Sequence, residues 1–385
     1  MQDTDRALAL PFDTAALLAG LRPWVLCESP TFDAGAVNRM LDLAVADLAP
    51  LLGEVTRFPG TLGLADTRRI ALPHPDRGRV PGLLVMAHLD TVHPVGTLAA
   101  LPFRSDGERA WGPGICDMKG GTYLAVAALL ALAAAGIPTR LPVTVLLTGD
   151  EEIGSPSTRA IIEAEAAAHA AVLVPEPARP SGGSAMGGVV SGRYAIARFN
   201  LATTGRPSHA GSTPGEGRSA IREMCRLVPL IDAMTTEAAS FSVGVIRGGT
   251  WVNCVATTCE AESLSMARRQ PDLDAAVEAM LALRSGTEGV SLAVTRGVTR
   301  PVWEPDAGTM ALHALAESLA SRLGHALPHA SAGGGSDGNF TGAAGVPTLD
   351  GLGVLGAGYH TLDEHIRLDS LVPRARLLAG LLVAA

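Results

Sequence analysis

Gly82-Leu-Leu-Val-Met-Ala-His88-Leu-Asp90 is an apolar run that stops at two chemistry-bearing side chains. It is short, and its apolar residues are continuous rather than spaced at helical period. That pattern marks a strand covered on both faces. It recurs at 142–148, which leads into Gly149-Asp150-Glu151-Glu152, and at 170–174, which leads into Pro175-Glu176. Helical stretches are expected between these runs, at 122–135 and 156–168. For the second, Ser155 is the expected N-cap, with Pro156 in the first turn. Alternation of strand and helix predicts an α/β sheet with helices on both faces. Sheets of that kind place their sites at the carboxyl ends of the strands. His88, Glu151, Glu152 and Glu176 all fall at such ends, so distant parts of the chain are expected to converge there.

From about residue 192 the pattern changes. Alternation over 193–201 predicts a half-exposed strand, and 219–234 reads as a helix. Strands at 241–247 and 252–266 flank a Gly248-Gly249 turn, followed by a helix at 272–283 and a strand at 290–298. This β-α-β-β-α-β order is ferredoxin-like. It is placed as an inserted α+β domain at 191–302, dividing a larger domain made of 1–190 and 303–385. Helix 308–323, the glycine-rich 333–338 loop, a short strand at 346–349 and a closing helix at 369–383 are expected to belong to that larger domain.

The 385 residues suffice for two domains with separate cores. With 47% hydrophobic and 18% charged residues, the chain is globular rather than disordered. A net charge of −8 argues against nucleic-acid or anionic-membrane partners. The 5 cysteines form no CxxC pair, so neither a disulfide framework nor a cysteine-ligated metal site is expected. The apolar stretch 122–135 is shorter than the roughly 20 residues a membrane span needs, and Gly136 and Pro138 end it. The start, Met1-Gln2-Asp3-Thr4-Asp5-Arg6, carries no basic-then-apolar leader. A soluble, cytoplasmic protein is expected. Lys119 is the only lysine, and it sits inside Trp111-Gly-Pro-Gly114-Ile-Cys-Asp117-Met-Lys119-Gly-Gly121.

These segments supply imidazole and carboxylate donors, which suit hard or borderline cations. In His88-Leu-Asp90, alternation along a strand end points both side chains the same way. Asp90 can then accept the second imidazole N–H and fix the tautomer. Asp117 lies where the backbone must turn tightly; its two oxygens could bridge two cations, or it could simply cap the turn. In Gly149-Asp150-Glu151-Glu152 the crowded acids would repel unless a dication relieves them; the alternative is a solvated acidic loop. Adjacent side chains diverge, so one glutamate can bind metal while its neighbour faces the water.

Taken together, the chain resembles the glutamate carboxypeptidase, aminoacylase and acetylornithine deacetylase family of co-catalytic zinc hydrolases. The resemblance runs through His-x-Asp-Thr-Val, Asp-Met-Lys-Gly-Gly, Asp-Glu-Glu-x-Gly-Ser, Glu176-Pro177, the inserted domain and Gly358-Tyr359-His360. It implies that Asp117 bridges two Zn2+ per subunit, with Co2+ or Mn2+ as possible substitutes. His88 and Glu176 would complete one ion's protein ligands, and Glu152 and His360 the other's. Glu151 would be the general base and Asp90 the partner of His88. The resemblance also implies a cis peptide after Asp117 and a homodimer formed through the inserted domain, which acts as a lid. From Gly205-Arg-Pro-Ser-His209-Ala-Gly211, His209 would reach from the partner subunit toward the developing oxyanion. Asn253 and Arg300 match substrate-carboxylate positions. Read without that resemblance, His209 is equally a solvent-facing loop histidine, and Arg300 a hinge residue paired to an acid. Where the family commonly carries an acid, one residue and an arginine, this chain has Leu264-Ser265-Met266.

The implied activity is hydrolysis of an amide bond, releasing a C-terminal amino acid from a peptide or N-acyl amino acid. A deacylase acting on acetylornithine or succinyl-diaminopimelate is the nearest alternative. A non-catalytic metal-binding protein on the same fold is the alternative from another class.

Overall fold

The computed structural model describes residues 2–182 and 184–385. The chain forms two compact units, one of residues 1–192, 304–332 and 336–385, the other of residues 193–303 and 333–335. The first is a mixed α/β unit around a six-stranded sheet.

Five of its strands are β1 (Glu54–Phe58), β2 (Thr67–Ala71), β3 (Gly82–His88), β4 (Val143–Thr148) and β5 (His169–Leu173). Their order is β1-β2-β4-β3-β5, closed by the strand Thr348–Leu349. β1, β2 and β4 pair antiparallel, whereas β4, β3, β5 and Thr348–Leu349 are parallel. Every residue of β3 and β4 is buried, as expected where helices cover both faces of a parallel sheet. The helix Gly120–Ala134 is among the covering elements, its apolar side chains joining the core of β3 and β4. Ile115–Ala134 is the one stretch among the described residues apolar and long enough to cross a membrane, and most of it is buried in this core.

Gly121 shows why the Asp117 motif ends in glycines. A Cβ there would lie 1.9 Å from the Pro175 carbonyl oxygen, so only glycine lets the helix start against the backbone that carries Glu176. The next helix starts at Arg159 rather than at 156. Ser155 is not its cap: it has φ of 61° and its hydroxyl donates to Asp337. Asp150 instead accepts from Ser157 N at 2.7 Å and Thr158 Oγ1 at 2.5 Å, which orders the turn ahead of the helix.

The second unit contains β6 (Ala195–Thr204), β7 (Ala239–Gly248), β8 (Thr258–Ala267) and β9 (Ser291–Arg300), with helices Ala220–Asp232 and Gln270–Leu281. The antiparallel order β7-β8-β6-β9 is the ferredoxin-like arrangement. Alternate residues of β6, from Ala195 to Thr203, are buried with Met224, Leu227, Leu273 and Met280 of the two helices. β8 begins at Thr258; residues 252–257, expected to be strand, form turns and an isolated pairing of His209 with Cys254. Gly333–Gly335 belongs to this unit, where Arg193 Nη1 donates to Gly334 O at 3.3 Å and Gly335 packs on Arg300.

Glu223 ties this unit together. Its buried carboxylate accepts from Arg226 Nη2 at 2.5 Å, Thr287 Oγ1 at 2.5 Å and Gly286 N at 2.8 Å. Arg226, with those two donors, holds its pKa down to about 2, against an ordinary 4.5. A depressed carboxyl stabilises the fold fully above the unfolded pKa, and that contribution is lost as pH falls toward the folded one. Glu223→Gln is therefore expected to cost about 2–3 kcal/mol near neutrality. Denaturant titrations should show the difference from wild type shrinking between pH 4.5 and about 2.

Candidate metal centre

His88 ends β3, Glu151 and Glu152 follow β4 within one short turn, and Glu176 lies just beyond β5. Three parallel strands therefore deliver their acids and imidazole to one edge of the sheet. Asp117 comes from a tight turn in which Gly114 has φ of 70°, and the Asp117–Met118 peptide is cis. His360 arrives on the loop between the paired strands Gly356–Ala357 and His365–Arg367. Its own φ is 65°, in a turn closed by Thr361 N donating to Gly358 O at 3.0 Å.

The two oxygens of Asp117 face different imidazoles. Oδ1 lies 3.3 Å from His88 Nε2, and Oδ2 lies 3.3 Å from His360 Nε2. Glu176 Oε1 is 3.6 Å from His88 Nε2, and Glu152 Oε2 is 3.0 Å from His360 Nε2. Donor atoms of His88, Asp117 and Glu176 thus form one cluster and those of Asp117, Glu152 and His360 a second, with Asp117 common to both. Glu151 Oε2 is 4.0 Å from His88 Nε2. His88 and Glu176 are buried and Asp117 and Glu152 half-buried, while His360, its side chain 51% exposed, marks the open side.

Asp90 braces this arrangement. Its backbone carbonyl is 3.0 Å from His88 Nδ1 and its Oδ1 3.3 Å, so the carbonyl is the closer partner where the carboxylate was expected. The carboxylate also accepts from the amides of Glu151 at 3.2 Å and Glu152 at 3.3 Å, and from Thr31 Oγ1 at 2.8 Å. One residue therefore orients the imidazole and both glutamates. Lys119 is fully buried and donates to Cys27 O at 2.8 Å, strapping the N-terminal segment to the Asp117 turn; burial pushes its pKa down to about 8.

The electrostatics suit a cation. Burial opposes protonation of His88, yet hydrogen bonds to Asp117 and Asp90 raise its pKa well above the usual imidazole range. His360, bonded to Asp117 and Glu152, is raised to about 10. Burial works against ionising Asp117, but His360 and His88 hold it well below the usual carboxylate range. Burial, reinforced by the charge of Asp117, pushes Glu176 well up. Glu152 is raised too, by burial against the opposing bond to His360. Carboxylates thus outnumber the imidazoles at a buried site, and protons hold the surplus charge in check. Divalent cations relieve the same surplus and expel those protons. Imidazole nitrogens beside carboxylate oxygens are the donors zinc and similar ions take.

The remaining expected residues lie in the second unit. His209 pairs with Cys254, and Ala210 N donates to Asn253 O at 2.9 Å, so His209 and Asn253 are neighbours. Their segments adjoin the Thr204 and Thr258 ends of β6 and β8, whereas Arg300 pairs with Ile196 at the other end of β6. At about 3.3 Å per residue the strand separates them by about 25 Å. The structure therefore groups His209 with Asn253 and sets Arg300 apart. Met266 pairs with Ile196 and Leu264 with Arg198.

Glu364 did not emerge from the sequence. Glu364 Oε2 is 2.7 Å from His93 Nε2. The one available signal was an acid four residues beyond His360.

A parallel-sheet edge carrying two imidazole–carboxylate clusters that share an aspartate defines a hydrolytic metalloenzyme class. The chain belongs to peptidase family M20/M25/M40, whose model matches residues 84–384, and it is a metallopeptidase by that membership. It is 31% identical over 376 residues to carboxypeptidase G2 of Pseudomonas sp. (strain RS-16), covering 96% of this chain and 88% of that protein. N-acetyl-L-citrulline deacetylase of Xanthomonas campestris is 31% identical over 192 residues, covering 47% of this chain and 49% of that one. Among solved structures, a tripeptidase from Staphylococcus aureus superposes with a TM-score of 0.72 at 20% identity, covering 96% of this chain and 98% of that one.

Proposed function

We propose that the protein is a two-zinc amidohydrolase that releases a C-terminal amino acid from a peptide or N-acyl amino acid, working as a cytoplasmic homodimer. The observation that carries this reading is Asp117, whose two oxygens each sit 3.3 Å from a different imidazole. His88, Glu176 and Asp117 would hold one ion, and Glu152, His360 and Asp117 the other. When bound, the ions would supply Lewis-acid polarisation of the scissile carbonyl and a water acidified toward neutral pH. Glu151, buried beside His88, is placed to take that water's proton on its carboxylate and pass it to the leaving amine. Asp90 keeps Glu151 and Glu152 from exchanging roles by fixing both their amides.

Recognition is assigned to His209, Asn253 and Arg300. His209 Nδ1 accepts from Gly211 N at 3.1 Å and Ser212 N at 3.0 Å, which puts the proton on Nε2 and makes that atom a donor. Such a donor suits a developing oxyanion. The planar fork of Arg300 suits a substrate carboxylate. If both sets serve one substrate, their separation along β6 requires two copies of the chain, which supports the homodimer with His209 and Asn253 coming from the partner.

The likeness to a deacetylase over about half the chain supports a second reading, biosynthetic deacylation of the acetylornithine or succinyl-diaminopimelate type. Metal analysis joined to a screen of dipeptides and N-acyl amino acids differing only in the C-terminal residue separates the two. Preference set by the C-terminal residue across different acyl groups is expected. Preference for one acyl group on one basic amino acid would favour the deacylase. Leu264 and Met266 stand where the family commonly carries charge, so the preferred residue need not be glutamate.

A further inference from the structure

We propose that Glu364, bonded to His93, is a positioning residue that holds the Asp117 turn and the His360 loop in register for the second cation; this rests on the two-ion reading above. Glu364 is buried, with 1% exposure. Its Oε1 accepts from the amides of Cys116 at 2.8 Å and Asp117 at 3.0 Å. Its Oε2 accepts from the amide of Gly114 at 2.8 Å and sits 2.7 Å from His93 Nε2. Its backbone carbonyl accepts from Gly112 N at 3.3 Å. A carboxylate offers about four lone-pair sites, and these contacts fill them, so Glu364 has no capacity left for metal or substrate. Its function is to organise.

The geometry explains what it organises. The turn that carries Asp117 presents the amides of Gly114, Cys116 and Asp117 toward one point, a concave array of N–H groups that attracts an anion. Buried amides left without an acceptor would destabilise that turn. The anion comes from the chain itself, four residues beyond His360. Glu364 therefore ties the residue that bridges the clusters to the loop that supplies His360, while His93 ties both to the segment following β3. The His88–Glu176 cluster takes only Asp117 from the clamped segments, its other two donors standing at the ends of β3 and β5, whereas the second cluster takes both Asp117 and His360 from them. Loosening it should weaken one ion far more than the other. A residue that merely stabilised the fold would not produce that asymmetry.

Glu364→Gln puts an amide N–H2 where every neighbour is already a donor. The test titrates the metal-free full chain with Co2+ as the probe, following the visible absorption band and chelator competition, with circular dichroism as the fold control. The wild type is expected to take two equivalents. In the variant one equivalent should stay within a few-fold of wild type, while the other weakens by about 10–100-fold and changes its absorption band. If Glu364→Gln fails to fold, His93→Leu and His93→Gln carry the test. The leucine should weaken the second equivalent, and the glutamine, which keeps a donor for Glu364, should restore it. A folded Glu364→Gln with both affinities at wild-type values overturns the proposal, as does identical metal binding by the two His93 variants. A wild type taking fewer than two equivalents refutes the two-ion reading itself, and this inference with it.

Discussion

Glu151→Gln is expected to keep both metal equivalents and to lose about 10²–10⁴-fold in turnover. The reasoning is local. Glu151 and Glu152 are adjacent in sequence, yet Glu152 Oε2 lies 3.0 Å from His360 Nε2, while Glu151 Oε2 stands 4.0 Å from His88 Nε2. Only Glu152 belongs to a ligand cluster. A glutamine at 151 is isosteric and can still accept a hydrogen bond, but it cannot take a proton. Metal content by atomic emission and kcat from a continuous assay separate the two functions. Glu152→Gln should show the reverse pattern, with the His360-side ion depleted first. Metal loss from Glu151→Gln with retention in Glu152→Gln would mean the two residues have exchanged roles.

Asp117→Ala is expected to abolish binding of both ions and to leave no measurable activity. No other residue appears in both clusters, and removing it takes away one oxygen ligand from each. It also removes the carboxylate 3.3 Å from Nε2 of buried His88, whose protonated form burial disfavours. Asp117→Asn keeps one carbonyl oxygen and should retain at most a single weak equivalent. Equilibrium dialysis against Zn2+ reads both variants. Two tightly bound ions in Asp117→Ala would exclude a bridging role.

The convergence of the candidate metal ligands was largely legible in the sequence. β3, β4 and the buried end of β5 announced themselves because a parallel strand covered on both faces must be continuously apolar, and polar chemistry can start only where it ends. Alternation likewise exposed β6, whose alternate residues are buried. Ser155 misled because serine before proline is a common helix start, whereas here Asp150, a buried acid, takes the Ser157 amide and the Thr158 hydroxyl of that turn. Residues 252–257 carry β-branched side chains but are held as turns beside His209, a non-local constraint with no periodic signature. The opening helices Gln2–Leu8, Thr14–Leu26 and Ala34–Leu48 passed unassigned, although Asp13 and Asp33 cap the latter two. His360 was marked only by family resemblance, since a loop histidine has no pattern of its own. Glu364 was hidden for a similar reason: its partners are backbone amides some 250 positions away, and amides leave no trace in the letters of a sequence.

The most direct measurement is anomalous X-ray diffraction at the zinc edge from crystals of the zinc-loaded protein. Two peaks are expected, one bounded by His88, Glu176 and an oxygen of Asp117, the other by Glu152, His360 and the second oxygen of Asp117. A single peak, or two peaks that do not share Asp117, would contradict the bridged pair.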